Sequence, residues 1–175
     1  MKTRMLPPWR ALLPAAATVA SALLLTGCIY DAPLETRHTT PVDPAVLGVW
    51  EAVDPDDDGP ETMVILRFSE TEYLVHYPTK PADSMYFRAY AITEAGVPCV
   101  QVELLGSHDG LPTGTGRYQV VSYRLVAGQL EIRTLNDSLV SSELSGRAAL
   151  REAFKKHARD PDLFTNPGTF KRVGE

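Results

Sequence analysis

Cysteine is nearly absent, with Cys28 and Cys99 the only two copies in 175 residues. At most one disulfide is available, so the domain is no disulfide-stapled scaffold and an apolar core has to hold it. Histidine is scarce too: His38, His76, His108 and His157 are scattered along the chain, and none has the spacing of a metal-ligand pair. Positive charge is in deficit, with 17 Lys and Arg against 22 Asp and Glu, which argues against nucleic acid as a partner. Repeats and low-complexity blocks are missing. So is an apolar run of the about 20 residues that a membrane-spanning helix needs. The longest such run, Ala11 to Leu25, is interrupted by Pro14, Thr18 and Ser21.

That run has the length of the apolar region of a secretion signal, and Lys2, Arg4 and Arg10 precede it. Leu25-Thr26-Gly27-Cys28 closes it, and these four residues resemble the lipobox of bacterial lipoproteins. The resemblance covers residues 1–28. It implies that residues 1–27 are removed, that the Cys28 sulfur takes a diacylglycerol, and that acyl chains hold the mature protein on a membrane, each buried CH₂ contributing about 0.8 kcal/mol. In that family an aspartate after the cysteine retains the protein on the inner membrane. The residue here is Ile29, which implies the periplasmic face of the outer membrane.

The signal holds three basic residues and no acidic ones, leaving 14 basic against 22 acidic residues in the mature chain. With Cys28 taken by lipid, Cys99 has no intramolecular mate. Residues 28–45 carry three prolines, several polar residues and no apolar period, which predicts a lipidated N-terminus followed by a flexible tether. At about 3.3 Å per residue, such a tether reaches ~55 Å at most. Residues 46–175 then suit one domain, which at this size buries about two-thirds of the surface its unfolded chain exposes.

From Val46 onward the dominant period is two, with β-branched and aromatic residues between turn residues. The spacing predicts eight strands, near 46–53, 62–68, 72–77, 84–92, 97–105, 117–126, 129–135 and 168–173. Between the last two, residues 142–159 change to helical spacing, with Ser142 placed to cap the helix and Leu150, Ala153, Phe154 and Ala158 on one side. A closed sheet has no unpaired edge. The expectation is therefore a mainly β fold, a small antiparallel barrel of about eight strands with one helix near the C-terminus packed against it. Gly48-Val49-Trp50 on the first strand resembles the Gly-x-Trp opening of lipocalin-like barrels. The resemblance implies that Trp50 seals one barrel end under an arginine from near the C-terminus, and Arg172 is the matching position.

Other constellations carry candidate chemistry. Ser107-His108-Asp109 holds three catalytic residue types, but a triad is defined by geometry and not by adjacency, so the stretch reads as a polar loop. Asp54-Pro55-Asp56-Asp57-Asp58-Gly59 resembles the start of an EF-hand loop, with Asp54, Asp56 and Asp58 as candidate calcium ligands, but the twelfth position is Ile65 instead of the bidentate glutamate. Tyr86, Arg88 and Tyr90 alternate on one strand face, opposite Met85, Phe87 and Ala89, and form a candidate binding surface of two phenols flanking a guanidinium. Arg147, Arg151, Lys155 and Arg159 recur every fourth residue as a basic stripe, which also suits a solvated helix face.

No nucleophile, acid–base pair or cofactor motif emerges, so the reading is a non-catalytic module without cofactor. Two function classes remain open: contact with another envelope protein, or binding of a small apolar ligand. A barrel of about eight strands has an interior either just filled or with room for one small ligand. Bulky candidates for the inward face, Phe68, Tyr73, Tyr77, Phe87 and Tyr123, tilt the expectation toward interaction.

Overall fold

The structure, a computed structural model, describes residues 30–55, 59–114 and 116–174. The expected signal, residues 1–27, lies outside the described residues, as do Cys28, Ile29, Asp56, Asp57 and Asp58. Eight antiparallel strands follow one another around a closed barrel: β1 (Gly48–Ala52), β2 (Thr62–Arg67), β3 (Tyr73–His76), β4 (Met85–Glu94), β5 (Val97–Ser107), β6 (Tyr118–Val126), β7 (Gln129–Leu135) and β8 (Phe164–Arg172). Each pairs with its sequence neighbour. Pairing of β8 with β1, in the register Trp50↔Arg172, Glu51↔Lys171 and Ala52↔Phe170, closes the ring. Closure gives every strand two partners and leaves no edge to aggregate.

Alternation along the strands sorts side chains onto two sides of the wall. Met63, Ile65, Tyr73, Phe87, Ala89, Val100, Val102, Val121, Leu130 and Phe170 point inward and form the barrel core with Trp50. Tyr90, Ile92, Cys99, Val120 and Leu135 point outward yet are equally buried. What covers them is the single helix of the described residues, α1 (Arg147–His157), through Leu150 and Phe154, together with Tyr30 and Leu34 from the N-terminal segment. These strands are apolar on both faces because each face meets a layer.

Three expectations are corrected here. The helix begins at Arg147 after Gly146, which has φ 81° and supplies no side-chain cap; the Ser142 N–H instead donates to Asp137 Oδ1 at 2.7 Å, within the turns that precede the helix. Phe68 lies beyond the end of β2 and is 62% exposed, so it does not point into the barrel. Finally, the described part of the expected tether, residues 30–45, is not free. Tyr30 pairs with Tyr118 in an antiparallel bridge, the Leu34 N–H donates to Gln101 Oε1 at 2.7 Å, and the Val42 N–H donates to Glu70 O at 2.9 Å. Tyr30, Leu34 and Val42, four or eight residues apart, bury their side chains, and this offsets the entropy of ordering the strap.

Candidate functional site

The strap ends in a 3₁₀ turn, Pro44–Val46, capped by Asp43, whose Oδ1 accepts from the Ala45 N–H at 2.9 Å. Pro44 at the start of the turn lacks an N–H that would have had no partner there. This turn lies over one end of the barrel. Trp50, 1% exposed, donates its indole N–H to Val46 O at 2.9 Å. The Arg172 guanidinium sits 4.4 Å from the centre of the Trp50 ring and donates to Leu47 O at 2.6 Å and Ala45 O at 2.5 Å. A planar fork that bonds two carbonyls while stacking on a ring is a task for arginine and not for lysine. Gly48 makes room: with φ 139°, its missing Cβ would stand 2.6 Å from Arg172 Nη1. The pair expected from the Gly-x-Trp resemblance is thus in contact, and it ties the first strand, the last strand and the turn before the barrel into one plug.

Above the plug the interior keeps an apolar cavity of about 110 Å³. Tyr73, Tyr77, Phe87, Tyr123 and Phe170 line it, but so do Ala89, Val100, Val102 and Val121, and these smaller side chains on β4 to β6 leave the space that the aromatic residues do not fill. Two of the phenols reach the plug. Tyr73 Oη accepts from the Asp43 N–H at 2.7 Å, and the Tyr123 hydroxyl donates to Asp43 Oδ2 at 3.4 Å. Burial pushes the Tyr123 phenol up to about 12, helped by neighbouring Tyr73 and Asp43. It is therefore a neutral hydroxyl whose polar end is satisfied at the wall. The cavity is comparable in size with engineered apolar cavities of about 150 Å³ that stay dry and accept benzene or xenon.

The other singled-out residues serve the barrel exterior. Tyr86, Arg88 and Tyr90 do face outward from β4, as their alternation predicts, but they do not form an open patch. Tyr90 is buried beneath the strap and donates to Glu35 O at 2.8 Å. Arg88 donates through Nε to Glu72 Oε1 at 2.6 Å, and its Nη1 lies 3.6 Å from Glu103. Tyr86 remains half-exposed and stacks on His76 at 4.4 Å between ring centres. His38, in the strap, joins the same group, with Nδ1 3.2 Å from Thr71 Oγ1 and Nε2 3.1 Å from Arg88 Nη2. The partners of His38 come from two other segments, the β2–β3 connection and β4, which no local pattern in the sequence brings together.

The basic stripe is divided in the same manner. Arg151 pairs with the buried Glu94 at 2.9 Å and Arg147 donates to Thr36 at 3.0 Å, so these two clamp the helix and the strap to the barrel. Lys155 and Arg159 are exposed, with Arg159 beyond the helix end. Ser107-His108-Asp109 forms an exposed turn in which the Asp109 N–H donates to Ser107 Oγ at 3.2 Å and His108 lies 3.1 Å from the Asp109 carboxylate. Among the described residues no group of three His, Cys, Asp or Glu side chains comes together to hold a metal ion. Of the candidate calcium ligands only Asp54 is described, and it is exposed. No protein family, curated protein or solved structure matches the chain. The fold and the plugged cavity therefore carry the functional reading.

Proposed function

We propose that the protein is a non-catalytic, lipid-anchored barrel of the bacterial envelope, held on the periplasmic face of the outer membrane through Cys28, that binds a small apolar ligand in its interior. The observation that supports ligand binding over the interaction role is the apolar cavity of about 110 Å³ left open above the Trp50–Arg172 plug. Filling it would be simple for a sequence under no demand to keep it empty, since exchanging Ala89 for a larger side chain adds the missing atoms. Unfilled apolar space forgoes the dispersion contacts that its lining could make. A ligand recovers those contacts on binding. The size restricts the ligand to a single ring or a short stretch of alkyl chain, and the lining offers it little beyond dispersion contacts. The plug, the Gly-x-Trp opening and the covering arginine agree with the lipocalin-like resemblance, in which a barrel closed at one end receives an apolar guest.

The test uses soluble protein beginning at residue 28, with Cys28→Ser. Xenon NMR and the thermal shift produced by benzene-sized compounds report occupancy, and Ala89→Leu removes the space. Saturable binding by the parent and none by Ala89→Leu supports the reading. Equal responses, or none from either, refute it. The second reading, contact with an envelope protein, is favoured by the apolar side chains Val49, Leu66, Phe68 and Tyr86 exposed along the outside of β1 to β4. A barrel that binds no small apolar compound yet crosslinks through that wall in cells supports it.

A further inference from the structure

The point at which the strap is pinned fixes how the barrel meets the membrane. The Tyr30 N–H donates to Tyr118 O at 2.7 Å, and Tyr30 O accepts from Arg117 N at 3.1 Å and Tyr118 N at 3.0 Å. Its side chain is fully buried, with the hydroxyl donating to Val140 O at 2.7 Å. Tyr30 is therefore part of the barrel, at the start of β6. Only Ile29 separates it from Cys28, and two Cα-to-Cα steps span at most about 7 Å. A lipid on Cys28 thus has no room to let the domain swing free, and the rim from which β6 departs has to lie at the headgroups.

That rim carries an unusual side chain. Leu111, in the connection between β5 and β6, is 83% exposed, the most exposed large apolar residue among the described ones. Its backbone follows a tight turn held by the Ser107–Gly110 bridge, and Leu111 Cδ2 packs toward Gly106. Close by, Arg117 pairs with Glu103 at 3.1 Å, and His108 Nε2 lies 3.1 Å from Asp109 Oδ1. The β1–β2 connection, with its exposed Asp54, leaves the same end of the barrel as the β5–β6 connection, four strands away around the ring. A leucine projecting into solvent from the rim at which Tyr30 is pinned suits the bilayer interface.

We infer that the β5–β6 rim is a membrane-docking surface and that Leu111 inserts into the leaflet that holds the Cys28 lipid. This inference rests on the lipoprotein reading. Once anchored, the domain stands in one orientation, with the Trp50–Arg172 plug at the other end of the barrel and pointing away from the bilayer.

The test uses full-length protein produced in a bacterium, purified with its lipid and reconstituted into vesicles of phosphatidylethanolamine and phosphatidylglycerol. An environment-sensitive dye is placed on Leu111→Cys or, at the opposite end of the barrel where β6 ends, on Val126→Cys; buried Cys99 is shielded from it. Brominated lipid is the quencher, and the intact mass reports acylation. The expected result is a blue-shifted Leu111 probe quenched several-fold more than the Val126 probe, a contrast that disappears when about ten Gly and Ser residues are inserted between Ile29 and Tyr30. Equal quenching at the two sites of acylated protein, or a Leu111 signal that the linker leaves unchanged, overturns the docking geometry and spares the lipoprotein reading. Protein without added diacylglycerol mass that fails to bind vesicles overturns both.

Discussion

Replacing the two partners of the plug, singly and together, measures what closes the barrel. Trp50→Ala removes a fully buried indole, its hydrogen bond to Val46 O and its contact with Arg172. Large-to-small changes of this kind cost about 3–5 kcal/mol through lost transfer energy and the cavity left behind. Arg172→Ala removes a cation–π contact of ~0.5–2 kcal/mol and two charged hydrogen bonds to Leu47 O and Ala45 O. The guanidinium is partly in water, so a total of about 2 kcal/mol is expected. The carbonyls it leaves behind can be hydrated. The double variant should be less destabilised than the sum of the singles, by about 0.5–2 kcal/mol, because either change alone already destroys the stacked contact. Urea unfolding of the soluble form beginning at residue 28 gives all three values. Far-UV circular dichroism follows every variant, because a form beginning at residue 28 lacks Trp9 and Trp50→Ala then leaves no tryptophan, while Trp50 fluorescence reports the plug itself in the parent and in Arg172→Ala. Arg172→Lys should recover little, lacking the fork. Strict additivity, or full recovery with lysine, would refute the argument that ring and guanidinium act as a unit.

Gln101, fully buried on the outer face of β5, accepts from the Leu34 N–H and donates to Gln119 O at 2.9 Å. Gln101→Ala should cost about 1–3 kcal/mol by leaving these groups unpaired, and hydrogen exchange should accelerate over residues 30–38 before it does in the barrel. The Cys99 thiol is buried and pushed up to about 12, chiefly by burial and then by Glu94. It should resist a disulfide-exchange reagent at pH 8 (roughly its ordinary titration range) in folded protein and react once urea unfolds the chain. A fast native reaction would show that the helix layer opens. Burial raises Glu72, but the hydrogen bond and charge of Arg88, with Ser69 and His38 adding to them, outweigh it and hold the carboxyl below its ordinary 4.5. A lowered folded pKa contributes stability that is complete above the unfolded value and lost as pH falls through the folded one. The melting temperature should therefore be level from neutral pH down to about 5 and fall below about 4.5, and Glu72→Gln should flatten that fall.

The number and order of the strands were legible because period-two alternation is local: each strand reveals its faces within a few residues. Gln129–Leu135 and Thr62–Arg67 needed no tertiary information for their placement. The first strand and the last residues before the C-terminus also carried a signal, Gly48 and Trp50 at one end and Arg172 at the other, since only glycine tolerates both the backbone angle and the guanidinium at position 48. The helix start was misplaced because Ser142 looks like a cap in sequence, while Asp137 takes up its N–H from five residues away.

What lay beyond the sequence is whatever depends on partners distant along the chain. Residues 30–45 look like a tether when only their prolines and polar residues are counted, yet their backbone groups find Tyr118, Gln101 and Glu70 on the wall. Alternation placed Tyr86, Arg88 and Tyr90 together on the outside, but whether an outward face is wet or covered depends on which layer lies over it, and here the strap and helix cover Tyr90. The cavity is of the same kind. Each inward residue is set by its own strand, but the space left over is a sum across eight strands brought together by closure, and no local pattern contains that sum.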